Sequence, residues 1–384
     1  MPATAAGGVK DLPGRILVAR SLDAANLNAQ AKNAQNILRR WTSSNYRPTG
    51  LSFSTPDAEL AANPNVDILQ LRGDRLWRLA VVVIYQRSWQ AIFYPGIHHW
   101  ADWLGLWLRE ATGRRIPVIT TIEGLVGDPG DKSRQRWFGE AAGHPVYCQE
   151  VAARRVKRIE ALYRKADHII AISPFLARLA KLRYGAKVSM LPLGVDTSLF
   201  KRTSFSKRTR PRVVTAGNVR AHKRPQFFLE LARVHPDADF FWFGDGDLRP
   251  TMRQEIARSG LANVDFPGAL PPPELAEQFV SSDIFVLPSR SEGVPKVTQE
   301  AAAAGLAQVI FGFYEAPTVI QGQNGLVVWS DDEMVAAVGT LIRDFEMTER
   351  LGRAGSAMAA SWSWDIVAPQ WERRIIDLVE ASKK

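Results

Sequence analysis

Apolar residues occur along the chain in two successive series of short runs, and most runs are followed by a stretch with helical spacing. In the first series we predict strands at 15–19, 67–71, 90–94, 116–121 and 168–172, and helices at 28–41, 73–86 and 150–165. In the second series we predict strands at 212–216, 239–243, 264–266, 284–287 and 307–311, and helices at 226–234, 252–259, 274–280 and 297–304. Strands that alternate with helices indicate parallel sheets covered by helices. The pattern therefore predicts two α/β domains.

A polar, basic segment separates the two series and is the natural linker. We predict a first domain over 1–200, a linker over 201–212, a second domain over 213–360 and a C-terminal helix within 361–384. This last helix is expected after Pro369, and it can pack against either domain, including back on the first. Its apolar face is formed by residues at helical spacing, Trp371, Ile375, Leu378 and Val379.

The composition is that of a folded protein. Of the 384 residues, 46% are hydrophobic and 23% are charged, which is ordinary for a globular chain. The single cysteine, Cys148, excludes a disulfide framework and a cysteine-based zinc site. The longest apolar run, 79–85, is too short to span a bilayer, which takes about 20 residues, and residues 1–15 lack the apolar core of a signal peptide. We expect a cytoplasmic protein.

Positive charge is concentrated in the first half of the chain. Residues 1–200 contain 27 Lys and Arg against 16 Asp and Glu, a net charge of +11, whereas residues 213–384 contain 16 against 23, a net charge of −7. This asymmetry indicates an anionic partner for the first half, either nucleic acid or an anionic membrane surface. The alternative is a solvated basic face without a partner.

Three tryptophans, Trp100, Trp103 and Trp107, recur at helical spacing in the first half. Core packing is one use of such an amphipathic helix. The other is an interfacial helix beside Arg114 and Arg115, because Trp and Arg suit a membrane surface. On that interpretation the protein is peripheral on the inner face of the cell membrane.

The most informative stretch is 289–305, which follows a predicted buried strand. Gly293 and Pro295 form a loop, and a helix begins just after it. A helix that begins after a strand and a glycine loop presents free backbone N–H groups and the positive end of its dipole to an anion. Glu292 lies in the loop and Glu300 in the helix, where carboxylates can accept hydrogen bonds from ligand hydroxyls. A surface loop with two solvated glutamates is the alternative.

A second stretch, 215–225, also follows a strand and precedes a helix. It places Arg220, Lys223 and Arg224 at the carboxyl end of the sheet, where ligands of open α/β sheets bind. Cations there can neutralise a diphosphate without a metal. A basic turn without function is the alternative. A third glycine turn, 244–247, is a weaker signal.

In this order and spacing, the three stretches resemble the C-terminal domain of the family 4 retaining glycosyltransferases, which have the GT-B fold. The E-x-x-x-x-x-x-x-E motif of that family corresponds to Glu292 to Glu300, and its G-(R/N)-x-x-x-x-K loop to Gly217 to Lys223. The match extends through 240–246, 267–274 and 282–289, and it covers about 205–355. Segments 166–175 and 193–200 also look like the family, whereas 1–150 match less well.

The resemblance implies two Rossmann-like parallel-sheet domains facing a cleft, with a nucleotide-sugar donor in the second and an acceptor in the first. It implies that Lys223 contacts the donor diphosphate, Glu300 the ribose hydroxyls, and Glu292 the transferred sugar. The donor-binding set so implied is Gly217, Asn218, Arg220, Lys223, Arg224, Gly244, Gly268, Glu292, Gly293, Val294, Pro295, Lys296, Val297 and Glu300.

The chain departs from the family pattern at three places. Asn218 stands where most members have an arginine, so Arg220 or Arg224 is expected to supply the charge. Residues 21–28 stand in place of a Gly-Gly turn after the first strand. Glu123 aligns with a histidine that faces the sugar in many members. A nearby histidine pair, His98 and His99, follows the predicted strand 90–94, and either this pair or Glu123 can lie near the acceptor hydroxyl. The candidate catalytic residues are therefore Glu292, Lys223, Glu123, His98 and His99.

These observations predict an enzyme, a retaining glycosyltransferase that moves a hexose-type sugar from a nucleoside diphosphate to an acceptor hydroxyl. The expected acceptor is a saccharide or a lipid-linked saccharide in bacterial glycan synthesis. No cofactor or metal is expected, because cations and helix N-termini can stabilise the leaving group. The alternatives are a non-catalytic nucleic-acid-binding protein, disfavoured because aromatic residues are not interleaved with the basic clusters, and a GT-B epimerase acting on a nucleotide sugar.

Overall fold

A computed structural model describes residues 13–25, 29–70, 89–96 and 116–383. The strands before residue 200 are β1 (Gly14–Ser21), β2 (Tyr46–Ser52), β3 (Asp67–Gln70), β4 (Trp89–Tyr94), β5 (Val118–Ile122), β6 (Val126–Gly127), β7 (Gln149–Glu150), β8 (His168–Ala171) and β9 (Val188–Met190). The helices of this part are α1 (Ala29–Arg39), α2 (Ala58–Ala61), α3 (Ser133–Ala142), α4 (Ala153–Lys165) and α5 (Pro174–Tyr184). The predicted helix over 73–86 lies outside the described residues.

The second half of the chain repeats the alternation of strands and helices. Its strands are β10 (Arg212–Ala216), β11 (Asp239–Phe243), β12 (Val264–Gly268), β13 (Ile284–Leu287), β14 (Ala307–Phe311) and β15 (Gly325–Val328). Its helices are α6 (Pro225–Val234), α7 (Arg249–Ser259), α8 (Pro272–Val280), α9 (Lys296–Ala303), α10 (Asp331–Arg343), α11 (Phe345–Ala359) and α12 (Trp364–Ala381).

The strands form two large sheets. The first has the order β3-β2-β1-β4-β5-β8-β9 and the second the order β12-β11-β10-β13-β14-β15. Every neighbouring pair of the second sheet is parallel, as are the pairs among β1 to β5 in the first. The strands β13 and β14 are buried along their whole length, as expected of a parallel sheet covered on both faces. The predicted two Rossmann-like parallel sheets are thereby confirmed.

Several predicted boundaries shift in the structure, including the following three. The helix predicted over 150–165 begins at Ala153, because Gln149–Glu150 pair as a strand with β6. The strand predicted from 116 begins at Val118, after Pro117. The C-terminal helix does not follow Pro369 but contains it, since α12 begins at Trp364. Pro369 is the sixth residue of this helix, beyond the first turn, so its missing N–H removes one hydrogen bond of the helix, that to the Asp365 carbonyl.

The sequence pattern missed β2, although it pairs with β1 on one side and β3 on the other. Pro48 lies opposite Ile16, and Gly50 lies opposite Val18. Proline cannot donate to the ladder and glycine has no side chain to pack, so both argue against an interior strand. The neighbouring strands hold β2 in place despite this local sequence.

By internal contacts, the chain divides into two compact units. The first unit takes the described residues up to Thr121, then Glu160–Ile169 and the chain from Ala368, and the second takes Ile122–Ile159 and Ile170–Val367. These bounds differ from the predicted domains 1–200 and 213–360, because several contacts tie segments before residue 200 into the second unit. Gln299 donates to the Leu193 carbonyl at 2.8 Å, and Ser291 donates to the Tyr147 carbonyl at 2.7 Å.

The first unit includes most of the C-terminal helix α12, from Ala368 onward. Buried Glu372 on α12 accepts hydrogen bonds from the backbone amides of Thr42 at 3.0 Å and Ser43 at 2.6 Å, just after α1. The Trp371 ring lies 6.4 Å from that of Phe93 on β4. The end of the described chain is therefore tied to its beginning within this unit. Among the described residues, no helix is both long enough and apolar enough to cross a membrane.

Candidate active site

The candidate site lies at the carboxyl edge of the second sheet. The chain runs from β10 outward to β12 and then returns to β13 on the other side of β10, so the strand order reverses between β10 and β13. Ligands of open α/β sheets bind at such a reversal, outside the carboxyl ends of the strands. The loop after β10 carries Gly217 to Arg224, and the loop after β13 carries Ser289 to Pro295, so the two predicted motifs are neighbours.

The structure brings Lys223 and Glu292 into an ion pair. Their side chains are only 19% and 10% exposed. Lys223 ends a short 3-10 turn, and Arg224 follows it with φ 59°, a left-handed conformation that is rare outside glycine. Pro225 then begins α6. This turn fixes the lysine beside the glutamate across the two loops.

Glycines allow the backbones around the ion pair to approach each other. A Cβ on Gly244 would lie 2.0 Å from the Gly217 carbonyl oxygen, and one on Gly293 would lie 1.5 Å from the Glu123 carbonyl oxygen. The loops after β10 and β11 are also joined by a hydrogen bond from the Val219 amide to the Asp245 carbonyl at 3.0 Å. The predicted residues therefore approach each other in two pairs through their main chains, Gly217 with Gly244 and Gly293 with Glu123.

Glu300 lies on the second turn of α9. No other described residue donates a hydrogen bond to its carboxylate or forms an ion pair with it. The side chain keeps some accessible surface but is surrounded by protein, and this burial raises the pKa of the Glu300 carboxyl, against a smaller opposing effect of the Lys296 charge. Lys296 is the first residue of α9, and its Nζ lies 5.4 Å from the centre of the Trp364 ring. A carboxylate in this position is available to hydroxyl groups of a ligand.

The remaining predicted donor-binding residues lie at the start of α9 and in the loops after β10 and β12. Val294 and Pro295 are buried where α9 begins, and Val297 is on its first turn. Asn218 is exposed. Gly268 has φ 113°, and its carbonyl accepts from the Gly244 amide at 2.8 Å, so the loop after β12 joins the same edge of the sheet.

The two arginines expected to replace the family arginine differ in their contacts. Arg224 donates to both carboxylate oxygens of Asp331 at 2.9 and 2.6 Å. Arg220 is more than half exposed and lies 3.8 Å from Asp247. Arg290 donates to Asp331 as well, at 2.8 Å. Burial alone would raise the pKa of the Asp331 carboxyl, but the hydrogen bonds from these arginines outweigh it and lower the pKa.

The Arg224–Asp331–Arg290 cluster was missed by the sequence analysis. Its members lie far apart in the sequence, on the loops after β10 and β13 and at the start of α10. The available signal was the Ser-Asp-Asp-Glu run at 330–333, which is typical of a helix start at the edge of a sheet. Ser330 caps α10 by accepting from the Glu333 amide, and this places Asp331 beside the two arginines.

The first sheet also reverses its strand order, between β1 and β4, and Asp23 organises the loop there. Its carboxylate accepts from the Ser52 hydroxyl at 2.6 Å and from the Phe53 and Ser54 amides at 2.9 and 3.1 Å. Part of the predicted 21–28 turn is thereby explained, since Asp23 joins it to the loop after β2. Residues 26–28 lie outside the described residues, as do His98, His99 and the tryptophan stripe at 100–107.

Among the residues that the structure describes, no group of three His, Cys, Asp or Glu side chains is placed to hold a metal ion. Cys148 is buried, and burial raises the pKa of its thiol to about 11. A thiol that stays protonated at neutral pH is a poor nucleophile.

Two family models match the chain. One, described as "Glycosyltransferase Family 4", matches residues 31–199, and the other, described as "Glycosyl transferases group 1", matches residues 210–344. Together they cover most of the described residues of both sheets.

Two curated relatives illustrate the similarity in sequence. The D-inositol 3-phosphate glycosyltransferase of Paenarthrobacter aurescens is 29% identical over 310 residues, which cover 71% of this chain and 69% of the relative. The GDP-mannose-dependent alpha-(1-6)-phosphatidylinositol monomannoside mannosyltransferase of Mycolicibacterium smegmatis is also 29% identical over 310 residues, which cover 67% and 80%.

Solved structures share the fold. Sucrose-phosphate synthase from Thermosynechococcus elongatus superposes with a TM-score of 0.75 at 17% identity, covering 96% of this chain and all of the other. Anabaena HepE in complex with UDP superposes with a TM-score of 0.69 at 16% identity, covering 95% of this chain and all of the other. At these identities the likeness concerns the fold.

Proposed function

Because the chain belongs to the family 4 glycosyltransferases of group 1 and has their GT-B fold, we propose that it transfers a sugar from a nucleoside diphosphate to an acceptor hydroxyl, with retention of the anomeric configuration. Family membership makes it an enzyme, which removes the non-catalytic nucleic-acid binder considered from charge alone. The observation that carries the donor assignment is the Lys223–Glu292 pair at the strand reversal, directly before the N-terminus of α9.

Each residue of the site then has a chemical role. Lys223 faces the charge that grows on the leaving diphosphate, and the first amides of α9 donate to the same phosphates. Glu300 accepts hydrogen bonds from two ribose hydroxyls, which suits a carboxylate without a competing donor. Glu292 accepts from hydroxyls of the transferred sugar. Lysine and helix amides supply positive charge at the diphosphate, so we propose that activity needs no added metal.

Both kinds of comparison support a nucleotide donor. One relative is named as GDP-mannose-dependent, and HepE has been solved with UDP, and also with UDP-glucose. The same relative acts by name on a phosphatidylinositol monomannoside, which supports a lipid-linked or free saccharide as acceptor here. Exposed Arg154, Arg155, Lys157 and Arg158 begin α4 and support reversible attachment to an anionic membrane surface.

A panel of nucleotide sugars that includes GDP-mannose and UDP-glucose tests the proposal. A donor present at 100 times its Kd stabilises the folded state by about 2.7 kcal/mol. For a unit of this size, that is a rise in Tm of about 5–11 °C. The stabilising donor is then incubated with saccharide acceptors, and NMR of the product reads the anomeric configuration. Failure of every donor to raise Tm overturns the donor assignment, and an inverted product overturns retention.

A further inference from the structure

An exposed aromatic side chain lies at the carboxyl edge of the second sheet, away from the ion pair. Trp329 directly follows β15 and is 45% exposed. One side of its indole packs on Gly312, where a Cβ would lie only 2.4 Å from the ring. A large exposed aromatic ring seated on a glycine is a platform with an accessible apolar surface.

Three polar side chains are linked to this platform, with His144 in contact with the indole and Glu315 and Arg178 following it. The His144 ring lies 5.2 Å from the Trp329 ring in an edge-to-face arrangement, and its Nε2 lies 2.7 Å from Glu315 Oε1. Arg178 donates to both oxygens of Glu315, at 3.1 and 2.7 Å. We call Trp329, His144, Arg178 and Glu315 the Trp329 patch; all four belong to the second unit.

The polar groups of the patch are fixed in place and still have bonding capacity. Glu315 has φ 42°, an unusual conformation for a residue other than glycine, and such outliers concentrate at functional sites. Burial alone would raise the pKa of the Glu315 carboxyl, but the hydrogen bonds from Arg178 and His144 outweigh it, so the pKa is lowered and the group stays charged at neutral pH. The Arg178 side chain is 46% exposed, and a guanidinium has five N–H donors, of which Glu315 engages two.

The patch is continuous with the candidate active site. Ser291, next to Glu292, donates to the Tyr147 carbonyl at 2.7 Å. The Tyr147 ring lies 5.0 Å from that of Phe313, which lies 5.4 Å from that of Trp329. Along the sheet edge, the loops after β14 and β15 come directly after the loop of β13 that carries Glu292. The loops that carry Gly312, Glu315 and Trp329 therefore follow the Glu292 loop along the same edge of the sheet.

The chemistry of the patch selects a neutral, amphipathic ligand. The Glu315 carboxylate and the Arg178 guanidinium cancel each other's formal charge, so neither an anion nor a cation is favoured by net charge. A sugar ring has an apolar face of C–H groups and a rim of hydroxyls. The face matches the indole, and the rim matches exposed Arg178 and half-buried Glu315.

We propose that the Trp329 patch binds a saccharide unit of the acceptor that lies beyond the unit being glycosylated. This inference rests on the proposed function and deepens it, because it makes an acceptor of two or more sugar units the preferred substrate. It also assigns Trp329 and Arg178 as residues that determine acceptor specificity.

Calorimetric titration of the protein with α-(1→6)-mannotriose and with maltotriose tests this subsite, with mannose and glucose as the matched monosaccharides. At least one trisaccharide is expected to bind at least tenfold more tightly than its monosaccharide. Trp329→Ala should remove this advantage, Trp329→Phe should keep part of it, and Arg178→Gln should reduce it with the indole in place. Val234→Ala is the control, since Val234 is 54% exposed at the far end of α6.

UDP and GDP titrations of the same variants separate the possible failures. Unchanged nucleotide binding in Trp329→Ala shows that the fold is intact. If that variant fails to bind nucleotide, the trisaccharide affinities of Trp329→Phe and Arg178→Gln test the subsite instead. The subsite alone is overturned if the protein binds nucleotide but binds neither trisaccharide more tightly than its monosaccharide. It is also overturned if Val234→Ala and both Trp329 variants bind the trisaccharides equally well. A wild-type protein that binds neither nucleotide overturns the proposed function itself.

Discussion

Removing Lys223 alone is the sharpest test of the candidate site, because its ion pair with Glu292 has little exposed surface. Breaking a fully buried pair from one side costs about 3–5 kcal/mol, since the other charge is left without compensation. The 19% and 10% exposure of the two side chains allows some hydration, so we expect about 2–3 kcal/mol for Lys223→Ala. In a unit of this size, that loss lowers Tm by about 4–12 °C.

Glu292→Gln has a different expected signature. It removes the negative charge and leaves the lysine free to meet a phosphate. The double variant should therefore lose less stability than the sum of the two single variants, which is the sign of a direct interaction. For a nucleoside diphosphate, Lys223→Ala loses a charge-assisted contact of about 1.5–3 kcal/mol, or about 10- to 150-fold in Kd. Glu292→Gln should keep that affinity and lower kcat instead.

Thermal melts of the free protein and calorimetric titration with UDP and GDP measure both effects. Arg233→Ala is the control, because Arg233 makes a 3.9 Å surface pair with Glu255 in which both side chains are nearly half exposed. Such a pair contributes less than about 1 kcal/mol. Equal stability losses in Lys223→Ala and Arg233→Ala, together with an unchanged nucleotide Kd, would refute the reasoning.

Four further predictions follow from the site and the charge distribution. Glu300→Gln should weaken nucleotide binding. In the wild type, the nucleotide affinity should fall as the pH drops through the raised pKa of Glu300. The same fall in affinity with pH in the variant would exclude Glu300 as the group that titrates. Gly293→Ala should destabilise the second unit by about 3 kcal/mol, because its Cβ would overlap a backbone carbonyl. Gly130→Ala, where the nearest atom is 3.5 Å away, should change Tm by little, and similar melts for the two variants would contradict the packing argument. EDTA should leave turnover nearly intact, and a strict requirement for added Mg²⁺ or Mn²⁺ would show that the reaction uses a metal site. At low salt, more protein should sediment with anionic vesicles than with neutral vesicles, and the double variant Arg154→Glu/Arg158→Glu should sediment less. Equal recovery of the protein in every supernatant would favour a soluble acceptor over a membrane-bound one.

The parts of the fold that the sequence predicts well are those in which local pattern and tertiary burial agree. The strands β10, β11, β13 and β14 were predicted with the observed bounds, because a strand covered on both faces is a continuous apolar run. The strand β2 was not predicted, since its Pro48 and Gly50 fit a strand only after β1 and β3 flank it. Local composition cannot report such a neighbour.

The residues of the candidate site also differ in how well the sequence predicts their contacts. Lys223 and Glu292 were named together because each lies in a motif at a strand end, and the structure places them in contact. The engagement of Arg224 by Asp331 was not predictable, because nothing in either local sequence points to a residue 107 positions away. The Trp329 patch was missed for the same reason, since His144, Arg178 and Glu315 come from three separate segments.

The hydrogen bonds from Thr42 and Ser43 to Glu372 have a consequence for the order in which the protein can be made. The first unit contains residues from both ends of the described chain. When β1 to β5 have left the ribosome, the C-terminal helix that packs against them has not yet been synthesised. Domains in many proteins fold from the N-terminus during synthesis. Here the second unit is complete at Val367, before the first unit receives its last helix from Ala368 onward. Early release of the chain before α12 would therefore damage the unit that was synthesised first and leave the later one nearly whole.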